Sequence, residues 1–187
     1  YQMGAKQMNP NVTTTVIYTG AWNDPVKERA AAMALIDQGA DVIGQHVDTP
    51  TPQIVAQERG VYATGHHRDL SQFAPKATLC SASWTWDRFL VPEVKKIMAG
   101  GWKPNPYGAF MSMAEGGGDI DFGQVELPAE AKAKIEAARQ AILDGKHIYA
   151  GPLKDRDGNE RVAAGEVLSD QALWQMDWYV EGVITQK

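Results

Sequence analysis

Two spacings of apolar residues alternate through the first third of the chain. β-Branched and apolar side chains crowd residues 12–18, 41–47 and 61–65, the density of short strands covered on both faces. Between them, apolar residues recur at the three- and four-residue intervals of a helix. Asp24-Pro25 opens the first such segment with a cap and a proline at the first helical position. Glu28 stands in its first turn, and Gly39 stops it after Gln38. A shorter helix is predicted over 52–59, closed by Gly60. Strand, helix, strand, helix, strand with joints of a few residues predicts parallel strands joined by crossovers, hence an α/β doubly wound parallel sheet.

Beyond Gly65 the rhythm changes. Residues 78–84 read as a strand reached through a longer loop (69–77), and 87–99 as a helix that carries Pro92 and ends at Gly100-Gly101. The stretch 104–123 is glycine-rich; within it 107–113 is predicted as a strand and Gly116-Gly117-Gly118 as a flexible turn. Pro at the start, Glu130 in the first turn and Gly145 beyond the end predict a helix over 128–143. Residues 148–154 and 160–163 flank Asp155-Arg156-Asp157-Gly158-Asn159, the pattern of a hairpin. From Ser169, a helix cap, to about Val183, Leu173, Met176, Trp178 and Val180 form one apolar side. Residues 1–9 have helical spacing and a proline stop, Pro10, but no start, so the helix and the protein are expected to begin upstream of Tyr1.

Composition narrows the function classes. Hydrophobic residues make up 44% of the 187, ample for a core. A net charge of −5, without a long run of either sign, argues against a nucleic-acid or anionic-membrane surface. No stretch approaches the roughly 20 apolar residues that span a bilayer. The single cysteine, Cys80, lies in an apolar run and is expected to be buried and inert.

In a doubly wound sheet ligands bind beyond the carboxyl ends of the strands. Three such loops are Thr19-Gly20-Ala21-Trp22-Asn23-Asp24, Gln45-His46-Val47-Asp48-Thr49-Pro50 and Gly65-His66-His67-Arg68-Asp69. They supply the candidate ligand contacts Trp22, Asn23, His46, Asp48, Thr49, His67 and Asp69. Trp84, at the end of the next strand, joins them, although it also fits core packing with Trp86, Trp174 and Trp178. A flat, heteroatom-rich ring needs an aromatic plate and edge groups that donate and accept, and Trp22 is the expected plate. Asp24 is expected to cap its helix.

His46, His66 and His67 beside Asp48 and Asp69 are residue types that bind zinc or iron. They lack a tight helical spacing, however, and adjacent His66 and His67 would point to opposite faces of an extended strand end. No metal is expected, and Asp48, His67 and Asp69 are expected to set ligand polarity instead. No catalytic residue is expected either: there is no G-x-S-x-G elbow and no phosphate-binding G-x-x-x-x-G-K-S/T loop. Asp155-Arg156-Asp157-Gly158 places its glycine too early for a calcium loop.

At Thr19-Gly20-Ala21-Trp22-Asn23-Asp24-Pro25, Asp37-Gln38-Gly39-Ala40-Asp41-Val42-Ile43 and Met176-Asp177-Trp178-Tyr179-Val180-Glu181-Gly182-Val183 the chain resembles the basic membrane protein family. The likeness continues through Gly60-Val61-Tyr62-Ala63, Phe73-Ala74-Pro75-Lys76 and Val167-Leu168-Ser169-Asp170. That family comprises receptors of ABC importers, some of which bind purine nucleosides, with a type I periplasmic-binding-protein-like fold of two lobes around a cleft.

The resemblance implies that residues 1–77 and 124–168 form the second lobe. Residues 78–123 and 169–187 would then be hinge crossings and first-lobe or interlobe elements. The helix over 87–99 would leave an apolar face, including Phe89, Val94 and Ile97, without its sheet. The resemblance also implies binding without chemistry or cofactor, an ABC permease as partner, and a periplasmic or lipid-anchored location, with any lipid anchor upstream of Tyr1. Trp22 takes the place of a base-stacking aromatic. Near His67, nucleoside-binding relatives carry a carboxylate for ribose hydroxyls, and the histidine shifts the expectation towards a free base such as adenine. Two other classes remain open: an enzyme on a flavodoxin-like sheet, and a ligand-sensing regulatory receptor.

Overall fold

The computed structural model describes residues 1–186. The first half contains α1 (Gln2–Met8), β1 (Thr14–Val16), α2 (Pro25–Asp37), β2 (Val42–Gly44), α3 (Thr51–Arg59), β3 (Tyr62–His67) and β4 (Thr78–Trp84). The rest contains α4 (Trp86–Met98), β5 (Gly118–Phe122), α5 (Ala129–Leu143), β6 (Leu153–Lys154), β7 (Glu160–Val162), α6 (Asp170–Trp174) and β8 (Val183–Thr185). Two compact units result: 1–18, 105–110 and the residues from Gly145 onward make one, 19–104 with 111–144 the other.

The larger unit is built on a sheet of order β2-β3-β4-β5. β2, β3 and β4 are parallel, as their alternation with helices predicts, and β5 runs antiparallel to β4. Asp24 caps α2 by accepting the N–H of Lys27 at 3.1 Å, with Pro25 at the first position. α2 and α3 pack on each other and against β2. Gly60, at φ 73°, closes α3 in the left-handed conformation that only glycine adopts at no steric cost. The core between these elements is small-chained: Ile43, Ala56, Ala63, Ala74 and Ala77 are buried together, and Val55 is 0% exposed.

Three expectations need correction. The strand expected over 107–113 is absent; the strand lies later, at β5, where Asp119 and Asp121 flank Ile120 in a period-two pattern that the neighbouring glycines mask. Gly118 belongs to that strand and not to a turn: it pairs with Trp84, so close to β4 that a Cβ there would sit 2.7 Å from the Ser83 carbonyl oxygen. Arg139 of α5 then donates two hydrogen bonds to Asp119, at 2.8 and 2.6 Å.

The second correction lies in the smaller unit. β1 pairs in parallel with β8 instead of joining β2, through a partner from the far end of the chain that the rhythm of neighbouring elements does not reveal. The third concerns the helix expected after Ser169. It ends at Trp174, although Ser169 does cap it by accepting the N–H of Ala172. The following residues pair with the hairpin β6–β7 instead: Arg156 donates its N–H to the Tyr179 carbonyl at 2.8 Å, and Asp155 bridges Val180.

That hairpin is held by one carboxylate. Asp155 is 2% exposed and accepts the N–H groups of Asp157 (3.0 Å) and Asn159 (2.9 Å) and the Arg161 Nε–H (2.7 Å). Burial works against its ionisation, but bonds from Asn159, Arg161 and the backbone outweigh it and hold the carboxyl at about 2.

α4 behaves differently from the helices on the sheet. None of its residues is buried; Trp86, Leu90, Val91, Val94, Ile97 and Met98 are exposed, and Phe89 is half-buried. No helix among the described residues is long and apolar enough to cross a membrane.

Candidate functional site

Because β2, β3 and β4 are parallel, their carboxyl ends share one edge of the sheet. Two residues lock the loops there. Glu28, 1% exposed, accepts the backbone N–H of Asp24 at 2.9 Å and the hydroxyl of Thr49, joining the loop before α2 to the loop after β2. The amide of Gln45 donates to the carbonyls of Val47 (2.9 Å) and Thr49 (3.1 Å). The Asp48 N–H donates to the Trp22 carbonyl at 2.7 Å, a second tie between the same loops. Past β3, Ser81 Oγ accepts the Leu70 N–H at 3.3 Å, and Gly65 makes room for it, since a Cβ there would fall 2.3 Å from that oxygen.

On this rim stands a row of rings. Trp22 meets His46 edge-on with centroids 5.6 Å apart, and His46 meets His66 at 4.3 Å. His66 lies 4.1 Å from His67 and 5.6 Å from Trp84, which in turn lies 6.2 Å from Trp86. Trp22 is 63% and Trp84 47% exposed, so both offer ring area to solvent.

His66 and His67 do not point to opposite faces, because His67 has φ 73° instead of an extended backbone. A left-handed non-glycine residue is strained by roughly 1–3 kcal/mol, and such strain clusters at functional sites. His66 is held neutral: burial first, then the neighbouring His46 and His67, lower it to about 4, against a smaller opposing pull from Asp48. Its Nε2 is buried and has no hydrogen-bond partner among the described residues.

The polar candidates divide by what they already hold. His67 Nε2 is 2.9 Å from Asp48 Oδ1, and the Trp84 Nε1–H donates to His67 Nδ1 at 3.1 Å. Asp69 accepts the Ser71 N–H (2.8 Å) and hydroxyl (2.9 Å), one on each oxygen, and so serves its own loop. Asp24 is likewise occupied, by the Lys27 N–H and ammonium. Thr49 is buried, with its hydroxyl shared between Glu28 and Thr51. Asn23 is exposed on the rim. The structure therefore gathers Trp22, His46, His67, Asp48 and Trp84 into one connected patch, and turns Thr49 and Asp69 to structural bonds.

Sequence reasoning missed Glu28 as the clamp and His66 as the middle ring. Glu28 was legible only as a first-turn acid; its spacing of four from Asp24 is the sole trace of the second role. Of the groups that chemistry would recruit, Cys80 is half-buried and burial pushes its thiol up, and Ser83 donates to Asp121. Among the described residues no three His, Cys, Asp or Glu side chains are arranged to hold a metal ion.

Comparison with known proteins shows the family. The family described as ABC transporter substrate-binding protein, PnrA-like, matches residues 1–128. A purine-binding protein of Brucella abortus is 35% identical over 98% of this chain and 52% of its own length. A putative ABC transporter glucose-binding protein of Haloferax volcanii is 33% identical over 97% of this chain and 44% of its own. The chain thus spans about half the length of these curated relatives. Among solved structures, an ABC transporter solute-binding protein of Conexibacter woesei superimposes with a TM-score of 0.58 at 20% identity. It covers 77% of this chain and 48% of that one, and shares the fold.

Proposed function

The chain belongs to the PnrA-like family of ABC transporter substrate-binding proteins, and on that premise we propose that its ring-lined rim receives a purine base or nucleoside for delivery to an ABC permease. The carrying observation is the row from Trp22 through His46, His66 and His67 to Trp84, with Asp48 beside it. Flat heterocycles stack on exposed aromatic faces, and their edges bond to a carboxylate fixed at the border of such a face. The likeness to a purine-binding relative supports the same class.

Binding proceeds here without chemistry. The hydroxyls and the thiol nearest the rim are engaged in structural bonds or, for Cys80, kept protonated by burial. The setting is extracytoplasmic, in the periplasm or at a lipid-anchored position on the envelope, where such receptors meet their permease.

Calorimetry of the intact protein with adenine, adenosine and glucose tests the reading. A purine ligand should bind and glucose should not. Stacking a base on an aromatic side chain contributes about 1–3 kcal/mol, so Trp22→Ala should weaken purine binding roughly ten- to a hundred-fold. Unchanged affinity in a folded Trp22→Ala protein would falsify the role of that ring. Tight glucose binding without purine binding would move the ligand class to sugars.

A further inference from the structure

We propose that His67 is a positioning residue, which holds Asp48 as the acceptor for the donor edge of the ligand while Trp84 fixes the nitrogen that carries its proton. The proposal rests on the ring-binding reading above and adds the polarity of the ligand. An indole N–H can only donate, so the 3.1 Å contact from Trp84 leaves His67 Nδ1 as an acceptor without a proton. The proton of the neutral imidazole is then on Nε2, 2.9 Å from Asp48 Oδ1, and His67 donates to the carboxylate. Both ring nitrogens are taken by protein partners. His67, a candidate ligand contact by sequence, keeps no polar atom for a ligand.

What His67 controls is the carboxylate. Asp48 is anchored at Oδ1 by His67 and at its backbone N–H by the Trp22 carbonyl, while its side chain remains 48% exposed. Its second oxygen has no donor among the described residues, which leaves it to accept from a ligand. Asp24 and Asp69 cannot compete, because both oxygens of each are engaged within their own loops. The left-handed backbone of His67 closes the relay, since an extended residue would turn the ring away from the row.

The ligand class follows from one fixed acceptor. It presents N–H or O–H donors along one edge, as the amino and ring N–H groups of a purine do, or the hydroxyls of a sugar. Anions are disfavoured by the carboxylate, which bonds His67 and lies close enough to His66 to act on its charge.

Two measurements test this. Long-range proton–nitrogen spectra of the intact, ligand-free protein should show His67 protonated on Nε2, and Trp84→Phe, which keeps a ring but loses the donor, should mix the two tautomers. Calorimetry with adenine, adenosine and glucose, using whichever binds, then compares variants. Glutamine has a carbonyl to accept from Trp84 and an amide to donate to Asp48. His67→Gln should therefore stay within about threefold of the parent, whereas His67→Ala and Asp48→Asn should lose roughly tenfold or more. A proton on Nδ1 in the parent protein overturns the proposal, and so does His67→Gln binding as weakly as His67→Ala. A parent protein that binds none of the three probes sinks the ring-binding reading, and the tautomer spectra then decide the relay alone.

Discussion

α3 and α4 each follow a strand of the same sheet, yet they end in different environments. α3 buries Pro52, Gln53, Val55 and Ala56, and packs on α2, β2 and β3. α4 is longer and has the sharper apolar stripe, with Trp86, Leu90, Val94 and Ile97 on one side, yet none of its residues is buried. Pattern makes a helix amphipathic; a complementary face makes it buried. α3 has the sheet and α2 to lie on, so even its polar Gln53 is drawn in, donating its amide to the Thr64 carbonyl at 2.9 Å. The functional consequence is a graded rim. His46 and Asp48 stand on a loop tied to the buried α2–α3 layer by Glu28 and Thr49, and His67 ends β3 beside it, whereas Trp86 begins the exposed helix.

The largest effect should come from charging the buried side of that comparison. Val55 is 0% exposed, on a helix packed against α2, β2 and β3. Val55→Asp should cost about 3–5 kcal/mol, from lost apolar burial and a desolvated charge, against a total stability of about 5–15 kcal/mol. Urea unfolding followed by circular dichroism should show the midpoint lowered in proportion to that loss, by about a fifth or more. A shift of less than about 1 kcal/mol would mean that the α3 layer is not the stabilising core.

A smaller effect should appear with acid at the rim above that core. His66 titrates at about 4 in the folded chain against 6.5 ordinarily, chiefly because of burial. Between those values the unfolded chain takes up a proton that the folded chain does not, so stability falls as pH drops from 6.5 to about 4 and changes no further through this group below it. His66→Asn should flatten that slope. Urea midpoints at pH 7 and 5 for both proteins measure it, and an equal slope in the two would assign the acid sensitivity elsewhere.

Local signals carried the parts of the fold that local chemistry decides. Asp24-Pro25, Gly60, Ser169 and the Asp155–Asn159 turn were readable because caps and turns bond within a few residues. The parallel strands β2, β3 and β4 were readable from their alternation with helices, and the rim loops followed from the strand ends. β5 was not, because its strand pattern is five residues long and opens inside a glycine run. Nor was the pairing of β1 with β8, which joins the two ends of the chain. In the site, residue types and positions were legible, but roles were not. Whether Asp48 or Asp69 faces a ligand depends on Ser71 and His67 as hydrogen-bond partners, and His67 reaches its place only through a left-handed backbone that no spacing announces.

The smallest effect is expected on α4, and it is the one that can break the comparison. Val94 is 51% exposed on the apolar stripe, and Leu90 and Ile97 on the same side are 48% and 55% exposed. A carboxylate at Val94 stays hydrated, so Val94→Asp should change stability by no more than about 0.5 kcal/mol, as surface substitutions do. The same chemical change, valine to aspartate, would then differ several-fold in cost between α3 and α4 for a single reason, the presence of a face to be buried against. Contiguous apolar surface of this kind also promotes association, so the variant should lower any concentration-dependent self-association of the parent in sedimentation velocity. A destabilisation above about 2 kcal/mol would instead show Val94 desolvated in solution, with α4 covered as fully as α3.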